Sequence, residues 1–105
     1  MTNQVIIIGR IVDEPKLEEL ENGKKVSTIT LEVARPFKNT EGEYERDLIP
    51  VVIWNRVAEG VTDYCKKGDI VGIKGRIEGL EGKSPRIIAE RFTFLTSSKK
   101  ENENE

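Results

Sequence analysis

Five short segments rich in valine and isoleucine follow one another along this chain, separated by turn-forming residues, and they restrict it to a small β-structure. The first segment, residues 4–12, is an almost unbroken apolar run with Gly9 inside it. Such a run is typical of a strand buried on both faces, and an interior glycine indicates a bulge or a sharp bend. The second segment, residues 25–35, alternates apolar and polar residues, so Ile29 and Leu31 are predicted to face the core together.

Glycine and proline mark where these strands end. Asn22-Gly23 predicts a two-residue hairpin before the second strand, because both positions tolerate a positive φ. Arg35-Pro36 ends that strand, since proline cannot donate to a β-ladder. The third strand, residues 44–54, contains Pro50, which predicts an edge or bulged position there.

A single segment, residues 56–67, has helical periodicity, with Asn55 as its expected N-cap and Gly68 at the position after its C-cap. Two further strands are predicted at residues 69–78 and 85–95. The residues that share the apolar face of this helix are Val57, Val61, Tyr64 and Cys65.

The order β-β-β-α-β-β predicts an all-β fold with one helix, namely a five-stranded OB-fold Greek-key barrel with the helix between strands 3 and 4. Residues 1–96 form this domain. Residues 97–105 are a polar tail with nothing to bury, which we expect to be disordered. A fold of this kind does not by itself define a ligand.

Several kinds of chemistry are excluded by what the chain lacks. It has no histidine, which removes Ser-His-Asp and Cys-His dyads and histidine zinc sites, and its one cysteine cannot build a thiolate cluster. These absences argue against an enzyme, and we expect no cofactor and no metal.

No apolar run is long enough to span a membrane, and without a signal peptide we expect a cytoplasmic protein. Seventeen Lys+Arg against 19 Asp+Glu exclude coating of nucleic acid by net charge alone.

The chain resembles bacterial single-stranded DNA-binding proteins over residues 3–95. The matching stretches include an opening strand, a hairpin leading into a DNA-contacting loop, and a strand-helix-strand unit. In chain order these stretches are residues 3–10, 22–23 with 26–39, 51–59, 64–69 and 75–77.

This resemblance implies sequence-nonspecific binding and protection of single-stranded DNA in replication, repair and recombination, in a bacterial nucleoid. Such binding needs aromatic faces for the bases and cations for the phosphates. The resemblance places stacking aromatics at Trp54 and Phe37, although Trp54 also fits ordinary core packing because it ends an apolar run. The cations expected on or beside the binding strands are Arg10, Arg35, Lys38, Arg56, Lys74, Arg76 and Arg86.

The remaining aromatics receive no DNA role: Phe92, Phe94 and Tyr64 are interpreted as packing residues, and Tyr44 is left open. Three departures from the family pattern are visible. Leu48 stands where members often carry an aromatic, the hairpin at residues 78–86 is short, and the tail lacks the acidic Ile-Pro-Phe ending that recruits replication or repair proteins. These departures also suit a primosomal OB-fold accessory protein for replication restart, and an OB domain used mainly for protein contacts is a further alternative.

The first strand predicts assembly. In a small barrel only the inner face of each strand is buried in the core. The apolar side chains of residues 5–8 that face outward must therefore be shielded from water by another surface. The family resemblance implies a homo-oligomer that pairs through this strand, with a tetramer favoured over a dimer. The alternative is coverage within the chain by Leu17 and Leu20.

Overall fold

The computed structural model describes residues 1–97, and the predicted polar tail lies outside them apart from Ser97. The predicted strands and helix follow one another in the expected order, with one additional very short strand, β2. The bounds are β1 (Val5–Ile11), β2 (Glu18–Glu19), β3 (Lys25–Lys38), β4 (Tyr44–Trp54), α1 (Asn55–Tyr64), β5 (Ile70–Leu80) and β6 (Lys83–Thr96).

Five of the strands close into a ring. The sheet order is β1-β5-β6-β4-β3, and pairing of β1 with β3 at Arg10 and Ile11 completes the circle. The β4–β6 pairing is parallel, over residues 51–53 and 87–89, and the other pairings are antiparallel. The helix lies between the third and fourth strands of the ring in chain order. This arrangement confirms the predicted five-stranded OB-fold barrel.

The alternation along the second predicted strand is confirmed in β3. Ile29 and Leu31 are buried, whereas Thr28 is exposed. Pro50 lies at an edge position, as predicted. It pairs with β3 on one side, but the pairing of β4 with β6 on the other side begins only at Val51. The barrel interior and the inner face of α1 together form one core, which includes Ile7, Ile11, Ile29, Leu31, Val51, Ile53, Ala58, Val61, Cys65, Val71 and Ile73.

The hairpin between β2 and β3 differs in detail from the prediction. Only Gly23 has a positive φ, of 83°, and its N–H donates to the carbonyl of Leu20 over 2.9 Å. Asn22 instead accepts a hydrogen bond from the backbone N–H of Lys24 at 3.0 Å. The loop therefore has three residues, with the glycine in the left-handed position that ends a type I turn.

Two glycines inside strands mark places where backbones approach closely. A Cβ at Gly75 would lie 1.9 Å from the carbonyl oxygen of Ile88, and the β5–β6 register shifts between Lys74 and Gly75. A Cβ at Gly9 would lie 2.9 Å from the carbonyl oxygen of Glu32. Since β1 pairs with β5 without a register shift, Gly9 reflects close packing of β1 on β3 and not the predicted bulge.

The helix is shorter than predicted. It ends at Tyr64, and Cys65 is already extended with φ −114°. In the turn that follows, the carboxylate of Asp69 accepts a hydrogen bond from the N–H of Lys66 at 2.8 Å. Asn55 is not the N-cap: it is the first helical residue, has φ 53°, and its side-chain oxygen accepts from the N–H of Lys25 at 3.2 Å.

Of the three aromatics predicted to pack inside the chain, one does so. Phe92 packs against the core. Tyr64 is 76% exposed because the helix ends there and turns it outward, and Phe94, the cross-strand partner of Val71, is 44% exposed. The prediction that these two rings pack inside the chain is wrong.

The first strand is buried on one face only. Ile7 is buried, whereas Ile6 and Ile8 are 69% and 59% exposed. Leu17 and Leu20 do not cover them and are themselves exposed, so the alternative of coverage within the chain is wrong.

Candidate nucleic-acid interface

The outer surface of β3 and β4 forms one continuous face. Alternate residues of the two strands point away from the core and lie opposite one another through the antiparallel register. We name this surface the β3–β4 face, and its paired residues are Val26 with Trp54, Thr28 with Val52, Thr30 with Pro50, and Glu32 with Leu48.

Trp54 lies partly buried at one end of the β3–β4 face. The guanidinium of Arg86 lies over its ring, and two nitrogens of Arg86 contact Glu78 at 2.7 and 2.8 Å. The hydrogen bond from Arg86 holds the pKa of the Glu78 carboxyl below its ordinary value. Together with Lys24 and Asn55, these residues line an open depression of about 270 Å³. An indole beside a cation in an open depression suits a stacked base with its phosphate.

Leu48 lies at the other end of the same face and is 62% exposed. Although no aromatic ring stands at this position, the exposed side chain still offers apolar area to a base. Glu32 is its cross-strand partner and is ion-paired with Arg46. Arg46 is absent from the predicted site residues, and Leu48 was named only as a position that lacks the usual aromatic, although the period-two alternation back from Trp54 places both on its face.

Phe37 projects from the end of β3 and is 66% exposed. The β3–β4 register shifts between Ala34 and Lys38, so Phe37 lies in an irregular stretch of the hairpin. The Lys38 ammonium lies 5.7 Å from the centroid of the Tyr44 ring across that hairpin. The hairpin arm, residues 34–48, thus carries an exposed aromatic beside a cation.

Arg35 is engaged by carboxylates of the hairpin arm. Its guanidinium lies 2.6 Å from Glu45 and 2.9 Å from Asp47. The hydrogen bond to Asp47 raises the pKa of Arg35, and the same bond lowers the pKa of the Asp47 carboxyl. A phosphate at Arg35 must therefore compete with two carboxylates already in place.

Two other predicted cations are also held by protein groups. Arg10 donates to the carbonyl of Gly68 at 2.7 Å, which ties β1 to the loop before β5. Arg76 lies 3.5 Å from both Glu78 and Glu90. The two residues lie in different places. Arg10 lies on β1 opposite Glu32 of β3, whereas Arg76 lies on the outer side of β5.

Lys74 and Arg56 are also exposed, and neither has an ion pair within residues 1–97. Lys74 lies on the outer side of β5 opposite Ile6, away from the β3–β4 face. Arg56 lies in the first turn of α1, two residues after Trp54. The structure thus divides most of the predicted residues among the Trp54 depression, the hairpin arm and the outer side of β5, and it leaves Arg10 on β1 and Arg56 on α1.

No group of His, Cys, Asp or Glu side chains suited to a metal ion occurs within residues 1–97. In the same part of the chain, no helix has the length and apolar character needed to cross a membrane.

Comparison with known proteins accounts for nearly all of the described chain. Residues 2–95 match the model of the Single-strand binding protein family. The chain belongs to this family. The sequence resemblance to bacterial single-stranded DNA-binding proteins is therefore confirmed.

Similar proteins come from Listeria innocua, Bacillus cereus and Bacillus subtilis. Single-stranded DNA-binding protein 3 of Listeria innocua is 42% identical over 92% of this chain, and the single-stranded DNA-binding protein of Bacillus cereus is 43% identical over 90%. The chain spans only 66% and 61% of those two proteins. Single-stranded DNA-binding protein B of Bacillus subtilis is 35% identical, with 96% of each chain covered.

The fold of the family is found in solved structures too. A crystal structure of a deletion mutant of the single-stranded DNA binding protein from Thermus aquaticus superposes with a TM-score of 0.74. It is 23% identical and covers 92% of this chain and 52% of the other, so this likeness concerns the fold alone.

Proposed function

We propose that this chain binds single-stranded DNA without sequence preference, as a non-catalytic protein that protects exposed strands during replication, repair and recombination. The observation that carries the proposal is the β3–β4 face of an OB barrel, with Trp54 beside Arg86 at one end and exposed Leu48 at the other. Membership of the single-strand binding protein family supports it.

Base stacking is assigned to Trp54 and Phe37. Both rings are accessible. The guanidinium of Arg86 lies over Trp54, and Phe37 directly precedes Lys38 in the chain, so each can be served by a cation that meets the phosphate of the stacked nucleotide. Leu48 adds an apolar contact between them. The phosphate contacts proposed are Arg10, Arg35, Lys38, Arg56, Lys74, Arg76 and Arg86.

A fluorescence titration tests this function. Trp54 is the only tryptophan, so its emission reports directly on the proposed site. Oligo-thymidine should quench it, and the affinity should fall as salt rises because phosphate contacts release counterions. The absence of quenching, or an affinity independent of salt, would contradict the proposal. A polyanion without bases, such as heparin, should bind without comparable quenching.

We further propose that the chain assembles through β1 into a homo-oligomer, a tetramer in preference to a dimer. Ile6 and Ile8 lie with Leu95 in an open depression of about 410 Å³ on the outer side of the sheet. Residues 5–8 of β1 pair with β5 but, within the described residues, not with β3, so they also present a free strand edge. An apolar surface beside a free edge favours pairing with a second copy.

Light scattering at micromolar concentration tests assembly. The parent should have the mass of a tetramer, and Ile8→Asp should reduce it, whereas Leu17→Asp, a change at another exposed apolar residue, should not. A monomeric parent would contradict the proposal. A stable dimer would favour the primosomal accessory alternative.

A further inference from the structure

Asn55 adopts a backbone conformation that few side chains tolerate. Its φ is 53°, and within residues 1–97 the other positive φ angles belong to glycines. Asparagine is one of the few residues that enter this left-handed region, because its short polar side chain can form hydrogen bonds with nearby backbone. Such a conformation persists where the surrounding structure holds it, and it is often found at functional sites.

The side chain of Asn55 continues the β3–β4 ladder beyond Trp54. In the register of the two strands Trp54 lies opposite Val26, so the next position places Asn55 opposite Lys25. The chain enters α1 at this point, and the N–H of Lys25 donates to the side-chain oxygen of Asn55 at 3.2 Å. A side chain thus supplies the acceptor that the backbone of a continuing strand would supply.

Lys25 is itself held on both sides. Its ammonium lies 3.1 Å from the carboxylate of Glu59, one helical turn after Asn55. On its other side Lys25 pairs with Glu19 of β2. The N–H that Asn55 accepts from therefore belongs to a residue with little freedom to move.

Trp54 is the residue that this arrangement affects most directly. It is the last extended residue before α1, with φ −114° and ψ 147°, and its side chain forms no hydrogen bond that caps the helix. Asn55 lines the Trp54 depression together with Trp54 itself and Arg86. Without the bond to Asn55, Trp54 would be the terminal residue of the ladder, where strands fray.

We propose that Asn55 is a positioning residue for Trp54: its left-handed backbone turns the chain out of β4, and its side-chain oxygen fastens that turn to β3. The indole is thereby kept in one orientation at the open depression. This inference rests on the proposed function and extends the same site. A ring that is already ordered loses less conformational freedom when a base stacks on it, so the strand is bound more tightly.

The test variant is Asn55→Gly, because glycine accepts the left-handed φ but has no side-chain oxygen. The measurement is the fluorescence anisotropy decay of the free protein, since Trp54 is the only tryptophan. The fast phase of this decay, which reports motion of the ring, should grow in Asn55→Gly. Asn55→Asp keeps a side-chain acceptor and also tolerates the left-handed region, so it should restore the parent's decay.

The matched control is Asn39→Gly in the hairpin arm. The side-chain oxygen of Asn39 likewise accepts from backbone N–H groups, those of Glu41 and Glu43, each at 2.9 Å. This variant should leave the decay of Trp54 unchanged. The proposal is overturned by a parent-like fast phase in Asn55→Gly, by equal growth in Asn39→Gly, or by an Asn55→Asp variant that does not restore the decay.

Binding provides a second measurement. Oligo-thymidine of about six nucleotides, near the lower end of what one OB fold covers, should bind Asn55→Gly about 2- to 12-fold more weakly than the parent, the range for ordering one side chain. Because no cation is removed, the slope of log affinity against log salt should stay the same. Equal affinities would overturn the positioning role. A parent that binds no oligo-thymidine would instead contradict the proposed function, which the anisotropy decay of the free protein does not test.

Discussion

The guanidinium carbon of Arg86 lies 6.0 Å from the centroid of the Trp54 ring. A cation held over an indole contributes ~0.5–1 kcal/mol at an exposed site. Because Glu78 also binds Arg86, the cation is positioned beside the ring before a strand arrives. A phosphate that approaches Arg86 must compete with Glu78, as one at Arg35 must compete with Glu45 and Asp47.

Replacing Trp54 with Ala should weaken oligo-thymidine binding by ~1–3 kcal/mol, the range for one stacking platform. Anisotropy of a labelled oligonucleotide measures this, since the variant has no tryptophan. Tyr64→Ala is the matched control, because Tyr64 is an exposed ring at the far end of α1. Equal affinity of a folded Trp54→Ala variant and the parent would contradict the stacking assignment.

Asp47→Asn should strengthen DNA binding at low salt. The change removes a carboxylate that occupies Arg35 and so lets a phosphate take its place. Glu41→Gln makes the same change of charge at the tip of the hairpin arm, where no ion pair is formed within the described residues. The expected order of affinities is Asp47→Asn above Glu41→Gln, with the parent lowest. Equal gains in the two variants would mean that net charge alone matters.

Gly75→Ala should destabilise the fold by about 3 kcal/mol or more, because the added Cβ would meet the carbonyl oxygen of Ile88 at 1.9 Å. Gly79→Ala lies in the same strand, and its Cβ would meet no atom within 4 Å. That variant should stay within ~0.5 kcal/mol of the parent. Urea unfolding measures both, and a Gly75→Ala variant as stable as the control would refute the close approach.

The Glu78–Arg86 pair should make stability depend on pH in one direction. The pKa of Glu78 is lowered from 4.5 in the folded state, chiefly by the hydrogen bond from Arg86. Its stabilisation is therefore present above pH 4.5 and is lost as the pH falls through the lowered pKa. Thermal unfolding should place Glu78→Gln below the parent at about pH 7, with the gap closing as the pH falls through the lowered pKa of Glu78. An exposed neighbour, Glu81→Gln, should show no such gap, and a gap that persists in acid would contradict the assignment.

The strands and the composition of the β3–β4 face follow from local patterns in the sequence. The alternation along residues 25–35 predicts that Ile29 and Leu31 face the core. The same period along residues 44–54 puts Leu48 and Trp54 on one surface. Such patterns are visible because side chains two apart on a strand share a face whatever the rest of the chain does.

The partners of the charged residues were decided by tertiary structure. Arg86 meets Trp54 and Glu78 because β6 lies between β4 and β5 in the closed ring. Lys74 meets Arg91 because of the register of β5 on β6. These contacts join residues from different strands, and ring closure sets them.

The sequence by itself determined the five barrel strands, one helix and two accessible aromatics, since each is a matter of local periodicity and turn chemistry. Only the tertiary structure decided that α1 stops at Tyr64, that Gly9 and Gly75 mark close approaches, and which cations are already paired. The physical reason is that those outcomes depend on which backbone or carboxylate lies within a few ångströms, and strands distant in sequence supply it.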